Sequence, residues 1–176
     1  MFKQISLICI IILFLMGCSN NLTLKDTFTD IIKKDSNVQK YTILSEERQG
    51  NIGIVFYQST LKENEFGRNQ SILLRVFNKE DKKWNLILTA NCNDKWDISS
   101  ENKKLNVYCG TIKEPMYTSV LIGDQKVKIF KLKNSNYLKA WYYINSDISL
   151  SIIGERIDGK KDIWQPASKK KQELPY

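Results

Sequence analysis

Histidine is absent from this chain of 176 residues, which limits the chemistry that its side chains can do. Ser-His-Asp and Cys-His catalytic arrangements are excluded, as are histidine-ligated zinc sites, and the commonest general base at neutral pH is missing. The carboxylates that lie close together in sequence are Glu46 with Glu47, Glu63 with Glu65, and Asp94 with Asp97 and Glu101. None of these groups has the spacing of an EF-hand loop, and no glycine-rich phosphate-binding motif is present. We therefore expect solvated carboxylates in a protein that is not an enzyme and binds no metal or cofactor.

The first residues have the layout of an export signal. One lysine, Lys3, precedes an apolar segment from Ile5 to Met16, which is shorter than the ~20 residues of a membrane-spanning helix. The segment ends in Leu15-Met16-Gly17-Cys18, which resembles the lipobox of bacterial lipoproteins. That resemblance implies cleavage before Cys18 and transfer of a diacylglycerol to its thiol, and two acyl chains suffice for stable anchoring. The alternative is an ordinary signal peptide with a chance cysteine.

The resemblance defines the expected organisation of the chain. Residues 1–17 are the predicted signal peptide, 18–21 a lipidated tether, 22–165 one β-rich domain, and 166–176 a basic tail that we expect to be disordered. The expected location is the cell membrane, with the domain held by its lipid anchor on the extracytoplasmic face. In layout the chain is similar to small lipoproteins of unknown function in Gram-positive bacteria, a resemblance that implies no site residues.

Cys92 and Cys109 are the cysteines that follow the predicted anchor. Both fall on the apolar phase of predicted strands, and disulfides persist in exported proteins. A bond between them would close a loop of about 18 residues and stabilise the fold by ~3 kcal/mol. The alternative is two buried free thiols, because the absence of a CxxC motif disfavours a redox-active pair.

Aromatic residues are the remaining candidates for a binding site. They are Trp84, Trp96, Trp141, Tyr142, Tyr143 and Trp164. Aromatic residues are typical of strands, so we expect most of them in the core rather than on a ligand platform. Trp96 differs because it lies in a polar segment, 93–104, that is predicted to be a loop. Loops often carry binding residues, and Trp96 is therefore the candidate ligand-binding residue.

The chain is basic, with a formal net charge of +8 that falls to about +7 when Lys3 is removed with the signal. A positive surface serves solubility, or attracts anionic envelope polymers or lipids. Nucleic acid is not an expected partner, because the chain is predicted to be exported and has no aromatic–basic RNA-binding motif.

Residues 22–35 have the period of an amphipathic helix. One face of that helix carries Leu24, Phe28, Ile31 and Ile32. Thr23 is the predicted N-cap, with Asp26 three residues later as a variant capping box. We expect the helix to pack on the domain's own sheet; the alternative is binding to the membrane surface or to a partner near the anchor.

From residue 38 onward the hydrophobic period changes to two. Predicted strands lie at 41–47, 51–60, 71–77, 84–92, 105–110, 117–123, 126–133, 137–144, 149–157 and 162–164. Such spacing with short polar turns is typical of an antiparallel β-sandwich or open barrel. Segment 126–133 is apolar on both phases, which predicts either a bulge near Ile129–Phe130 or burial of both faces.

Composition and motifs together favour a non-catalytic β-domain that binds or shields something at the cell envelope. Two alternatives stay open at this point. One is an accessory or inhibitory subunit of an envelope complex, which a large exposed apolar patch would favour. The other is an enzyme that acts on glycan through carboxylates or tyrosine, which would need an aromatic cleft with two carboxylates about 5–10 Å apart.

Overall fold

A computed structural model describes residues 22–61, 70–101, 105–133, 135–147 and 149–165. The predicted signal peptide, the tether with Cys18, Glu63, Glu65 and the tail at 166–176 lie outside these ranges. Among the described residues, no helix has the length and apolar character needed to cross a bilayer.

One helix and twelve strands follow each other along the described chain. They are α1 (Leu24–Lys34), β1 (Val38–Gln49), β2 (Ile52–Leu61), β3 (Gln70–Glu80), β4 (Lys83–Asn91), β5 (Asp97–Glu101), β6 (Leu105–Lys113), β7 (Tyr117–Ile122), β8 (Gln125–Lys126), β9 (Ile129–Lys131), β10 (Leu138–Asn145), β11 (Ile152–Arg156) and β12 (Lys161–Gln165).

The strands form three four-stranded antiparallel sheets that stack as layers. Sheet I has the order β1-β2-β3-β4, sheet II the order β5-β6-β10-β9, and sheet III the order β12-β11-β7-β8. One apolar cluster lies between α1 and sheet I, a second between sheets I and II, and a third between sheets II and III. The predicted class, mainly β with one short N-terminal helix, is confirmed, and the architecture is a layered sandwich.

Helix α1 begins and packs as its sequence predicts. The Thr23 side chain accepts a hydrogen bond from the backbone N–H of Asp26, and the Asp26 carboxylate accepts one from the backbone N–H of Thr23, which completes the capping box. Leu24, Phe28 and Ile32 are buried against sheet I. The helix therefore covers one face of sheet I, and the other face packs on sheet II.

Sheet II is covered on both faces because it lies between the other two sheets. In β6, Val107 and Cys109 pack toward sheet I, whereas Tyr108 and Ile112 pack toward sheet III. Alternate residues of β10 divide in the same way. Strands covered on both sides must be apolar on both phases, which explains why the aromatic residues of β10 belong to the core.

The predicted strand at 126–133 is wrong as a single strand. Strand β8 ends at Lys126 in sheet III, and β9 begins at Ile129 in sheet II. Val127 packs between sheets II and III, whereas Phe130 packs between sheets I and II. The chain crosses from one sheet to the next, so both phases are buried and no bulge is required.

The loop predicted at 93–104 is also partly wrong, because Asp97–Glu101 forms β5 at the edge of sheet II. Its sequence, DISSE, has little apolar alternation, and the strand is formed through its pairing with β6. A polar edge strand of this kind leaves no hydrophobic period in the sequence from which it could be predicted.

The predicted pairing of Cys92 with Cys109 is present in the structure. The two Sγ atoms lie 2.05 Å apart and the two Cα atoms 5.2 Å apart. Cys92 directly follows β4 of sheet I, and Cys109 lies in β6 of sheet II. The bond therefore joins two layers across the core that they share.

Candidate functional site

An open cavity of about 350 Å³ lies at one end of the sandwich, where the segment before β5, the end of β6 and the starts of β7 and β10 meet. We call it the end groove. Its lining consists of Lys95, Thr111, Ile112, Lys113, Met116, Tyr117 and Leu138. The volume lies at the lower end of the range of small-ligand pockets, which is about 300–1,000 Å³. The lining combines an apolar floor with two lysines.

A second depression of about 330 Å³ adjoins the end groove and shares Tyr117 with it. Two backbone hydrogen bonds hold the surrounding turns together: Glu114 N–H to Tyr137 O at 2.7 Å, and Ile157 N–H to Met116 O at 3.1 Å. Three large apolar side chains project here, with exposed fractions of 50% for Met116, 72% for Tyr137 and 68% for Ile157. We call these three residues the apolar rim.

The Lys95 ammonium is held beside the groove by two aromatic rings and a hydroxyl group. Its Nζ atom lies 3.1 Å from the Tyr117 hydroxyl oxygen, which accepts the hydrogen bond. The same hydroxyl donates a 2.6 Å hydrogen bond to Asp162. Nζ also lies 4.5 Å from the centroid of the Trp164 ring and 5.1 Å from that of Tyr117, within the range of a cation–π interaction.

Two glycines permit this arrangement. A Cβ atom at Gly110 would lie only 2.4 Å from the backbone oxygen of Lys95, and one at Gly154 would lie 2.2 Å from the Trp164 ring. The first distance shows that the backbone of Lys95 is seated directly on β6. Thr111 supports the same contact, because its backbone N–H donates to Asp94 O at 2.9 Å. Sheet packing therefore fixes where Lys95 enters the groove.

The end groove has the chemistry of a binding site. A fixed ammonium and a second lysine lie beside an apolar floor, so the groove can hold an anionic group attached to an apolar body. None of its described lining residues carries a carboxylate.

Comparison of the chain with protein-family models, with curated protein sequences and with solved structures yields no match. The function of the groove is therefore inferred from its own geometry.

Another cavity, of about 270 Å³, opens beside β1 and the crossover between β8 and β9. Tyr142 lies in its wall, and burial raises the pKa of the Tyr142 hydroxyl above its ordinary value. Glu47 accepts a hydrogen bond from Ser45 at 3.1 Å and lies 4.0 Å from Lys128. A tyrosine that keeps its proton is a poor nucleophile, so this cavity offers weaker chemistry than the end groove.

Among the described residues, the adjacent carboxylates Glu46 and Glu47 do not form a shared site. Glu46 pairs with Arg48 at 2.8 Å, whereas its neighbour Glu47 accepts from Ser45. Asp97 accepts a hydrogen bond from the backbone N–H of Ile98. Within the described ranges, no group of three or more histidine, cysteine, aspartate or glutamate residues is placed to hold a metal ion.

Trp96, the residue selected from the sequence, lies next to the end groove and is 36% exposed. Its neighbour Lys95, rather than Trp96, is among the residues that line the groove. Trp84, Trp141 and Tyr142 are buried in the core, as predicted. Tyr117 and Asp162 cannot be identified as site residues from the sequence, because they are 45 positions apart and come together only through the strand pairing of sheet III.

Proposed function

We propose that this protein is a lipid-anchored, extracytoplasmic binding protein without catalytic activity, and that it binds through the end groove and the apolar rim. The observation that carries this proposal is the exposure of Met116, Tyr137 and Ile157 around a concave site. Exposed apolar side chains clustered at one place are typical of interaction surfaces. The resemblance of Leu15-Met16-Gly17-Cys18 to a lipobox supports the anchor.

The position of α1 supports a groove on the side of the domain that faces away from the membrane. Leu24, at the start of the helix, packs against Gly53 at the start of β2. The groove lies toward the other end of that strand, because the Gln58 side chain accepts a hydrogen bond from the backbone N–H of Lys133, which leads into the turn before β10. Gly53 and Gln58 are five positions apart along β2, which corresponds to a distance of about 17 Å.

The tether makes this distance relevant. Residues 18–21 span at most ~14 Å when extended, so lipidation at Cys18 would hold the start of α1 close to the bilayer. The end groove would then lie on the part of the domain that is remote from the membrane. This placement suits a site that meets partners arriving from outside the membrane.

The apolar rim also favours one of the alternatives, in which the domain is an accessory or inhibitory subunit of an envelope complex. An accessory subunit is a binding protein whose ligand is another protein, so the two proposals share the same surface. Glycan hydrolysis needs two carboxylates across the substrate, and the described lining of the end groove supplies lysines and a threonine instead.

Cell fractionation tests the anchor. The wild-type protein is expected in the membrane fraction, and protease added to cells whose outer layers have been removed should degrade it. Cys18→Ala should move the protein to the soluble fraction. Cys9→Ala is the matched control, because Cys9 lies within the predicted signal peptide and its loss should leave the protein membrane-bound. Retention of the Cys18→Ala variant in the membrane would contradict the proposal.

A further inference from the structure

We infer that the end groove docks an acidic, apolar segment of a partner protein, with a carboxylate between Lys95 and Lys113 and a bulky apolar side chain on the groove floor. This inference rests on the proposed binding function and names the chemistry of its ligand. It commits to a peptide segment as the occupant, and it treats a membrane surface and a second copy of the chain as outcomes of the test.

Charge is the first argument for an acidic segment. Lys95 and Lys113 both line the groove, and neither makes an ion pair with a described carboxylate. Nearby Lys139 differs, because it pairs with Glu114. Lys95 is held by the Tyr117 hydroxyl and two rings, so its position is fixed, and the Asp162 carboxylate reaches it only through that hydroxyl and not by direct contact. A carboxylate would supply that missing contact as a charge-assisted hydrogen bond.

The apolar part of the ligand follows from the floor and the rim. Ile112, Met116 and Leu138 line the groove, and Tyr137 and Ile157 project beside it. Protein interfaces concentrate their binding energy where an apolar or aromatic side chain fills a pocket and surrounding residues exclude water. In such a ligand, an apolar side chain next to the carboxylate would reach the groove floor while the carboxylate itself stays between the two lysines.

Neither a second copy of the chain nor the lipid surface fits these features as well. A two-fold dimer through the groove would bring the lysine-bearing surfaces of the two copies together, and like charges at an interface are unfavourable. The membrane surface is disfavoured because α1 begins toward the other end of β2 from the groove. A peptide segment arriving from outside meets neither difficulty.

Met116 provides a direct probe of the groove. The three methionines of the sequence are Met1, Met16 and Met116, and cleavage before Cys18 would leave Met116 alone. The lipidated chain would be labelled with ¹³C-methyl methionine, purified from membranes and placed in phosphatidylcholine nanodiscs. One methyl resonance would show that the signal has been removed, whereas three would show an unprocessed chain. Failure of the anchor is therefore distinguishable from failure of peptide binding.

The titrants are pools of blocked pentapeptides in which aspartate is followed by each apolar residue in turn. We expect a saturable shift of the Met116 resonance with this pool. A matched pool with asparagine in place of aspartate should bind about tenfold more weakly, because the charge-assisted hydrogen bond is lost. Lys95→Gln and Lys113→Gln should each weaken binding to a similar extent. Lys82→Gln, in the exposed turn between β3 and β4, is the control and should leave binding unchanged.

Three results would overturn the inference. The first is the absence of a saturable shift with the aspartate pool at millimolar concentration. The second is equal binding of the aspartate and asparagine pools. The third is a shift that the peptides do not produce and another occupant does: phosphatidylglycerol vesicles, which would assign the groove to a lipid surface, or a rise in protein concentration alone, which would assign it to a second copy of the chain. Because Lys113→Gln leaves the Lys95 contacts to Tyr117 and Trp164 in place, it tests the charge even if Lys95→Gln alters the local fold.

Discussion

Lys95 and Tyr117 lie 22 positions apart in sequence, yet the lysine Nζ atom is 3.1 Å from the tyrosine hydroxyl oxygen. Lys95 precedes β5 of sheet II, and Tyr117 begins β7 of sheet III. The hydrogen bond therefore joins two layers at the mouth of the end groove. Asp162 accepts the hydroxyl proton of Tyr117 at 2.6 Å and orients the oxygen toward the ammonium.

Tyr117→Phe tests this relationship. The variant keeps the ring that faces Lys95 and removes the hydroxyl group, so Asp162 loses its donor and Lys95 loses its acceptor. We expect the free energy of unfolding to fall by about 1–2 kcal/mol, as for other part-buried hydrogen bonds to a charged group. Urea denaturation measures the change. Tyr137→Phe, at an exposed position of the apolar rim, should leave stability unaltered.

Gly110→Ala should damage both stability and the groove. The new methyl group would lie 2.4 Å from the backbone oxygen of Lys95, and a backbone atom cannot move away as a side chain can. We expect a loss of about 2–4 kcal/mol in urea denaturation, together with weaker binding of any ligand that uses Lys95. Asn85→Ala, on an exposed part of β4, serves as the control. Wild-type stability in Gly110→Ala would show that the segment before β5 is not seated on β6.

Loss of the bond between Cys92 and Cys109 should lower the free energy of unfolding by about 3 kcal/mol, since it closes a loop that restrains the unfolded chain. Urea denaturation with and without reductant measures this difference. Thiol labelling of the denatured, unreduced lipidated chain should find neither cysteine reactive, and labelling after reduction should find both. Ready labelling before reduction would contradict the pairing.

Arg75 and Asp35 form a second link between layers, with Nη2 of the arginine 3.5 Å from Oδ2 of the aspartate. The Arg75 side chain is only 9% exposed, whereas Asp35 is 33% exposed at the end of α1. Removing the partner of a buried charge is more costly than replacing the charge by an apolar side chain. Asp35→Asn should therefore destabilise the fold by about 1–3 kcal/mol, and Arg75→Met should cost less. Thermal unfolding of both variants tests the order; the reverse order would show that Arg75 is stabilised by other contacts.

Stability should fall at alkaline pH because tyrosines are buried. Burial raises the pKa of Tyr57 from 10.0 to about 12, and the nearby Arg75 guanidinium opposes this only in part. Between these two values the folded chain holds a proton that the unfolded chain has lost, so the free energy of unfolding decreases as pH rises from 10 to 12. A pKa difference of this size corresponds to about 3 kcal/mol. Below pH 10 this group should have no effect.

Tyr57→Phe is the variant that isolates this contribution. It should flatten the decline of stability between pH 10 and pH 12 without abolishing it, because burial also raises the pKa of Tyr142 and Tyr108. Tyr137→Phe provides the comparison at an exposed position. Chemical denaturation at several pH values gives the slopes, and equal slopes for the wild type and Tyr57→Phe would rule out a role for Tyr57.

The sequence predicts most of the fold where local chemistry and hydrophobic period agree. Thr23 and Asp26 cap α1 as their spacing predicts. Cys92 and Cys109 approach each other because both side chains lie in the core between sheets I and II. The crossing of the chain from one sheet to the next at Val127 is harder to predict from the sequence. The hydrophobic pattern shows that a residue is buried, but it does not indicate which sheet packs against that residue.

The candidate site was predictable only in part, for a physical reason. Trp96, in the polar segment at 93–104, is the predicted binding residue, whereas its neighbour Lys95 is the residue that lines the end groove. Its partners Tyr117 and Trp164, and Asp162, which accepts the Tyr117 hydroxyl proton, come from β7 and β12 of another sheet. Long-range strand pairing decides that they meet, and neither composition nor periodicity contains that information. Gly110 is similar, because its role depends on a backbone that packs against it from a different segment.

The Met116 methyl resonance, followed while the aspartate peptide pool is added to the lipidated chain and to its Lys95→Gln variant, tests the function of the end groove most directly. Binding through this groove predicts a saturable shift in the wild-type chain and about tenfold weaker binding in the variant. A resonance that does not move, or that moves equally in both chains, would contradict it.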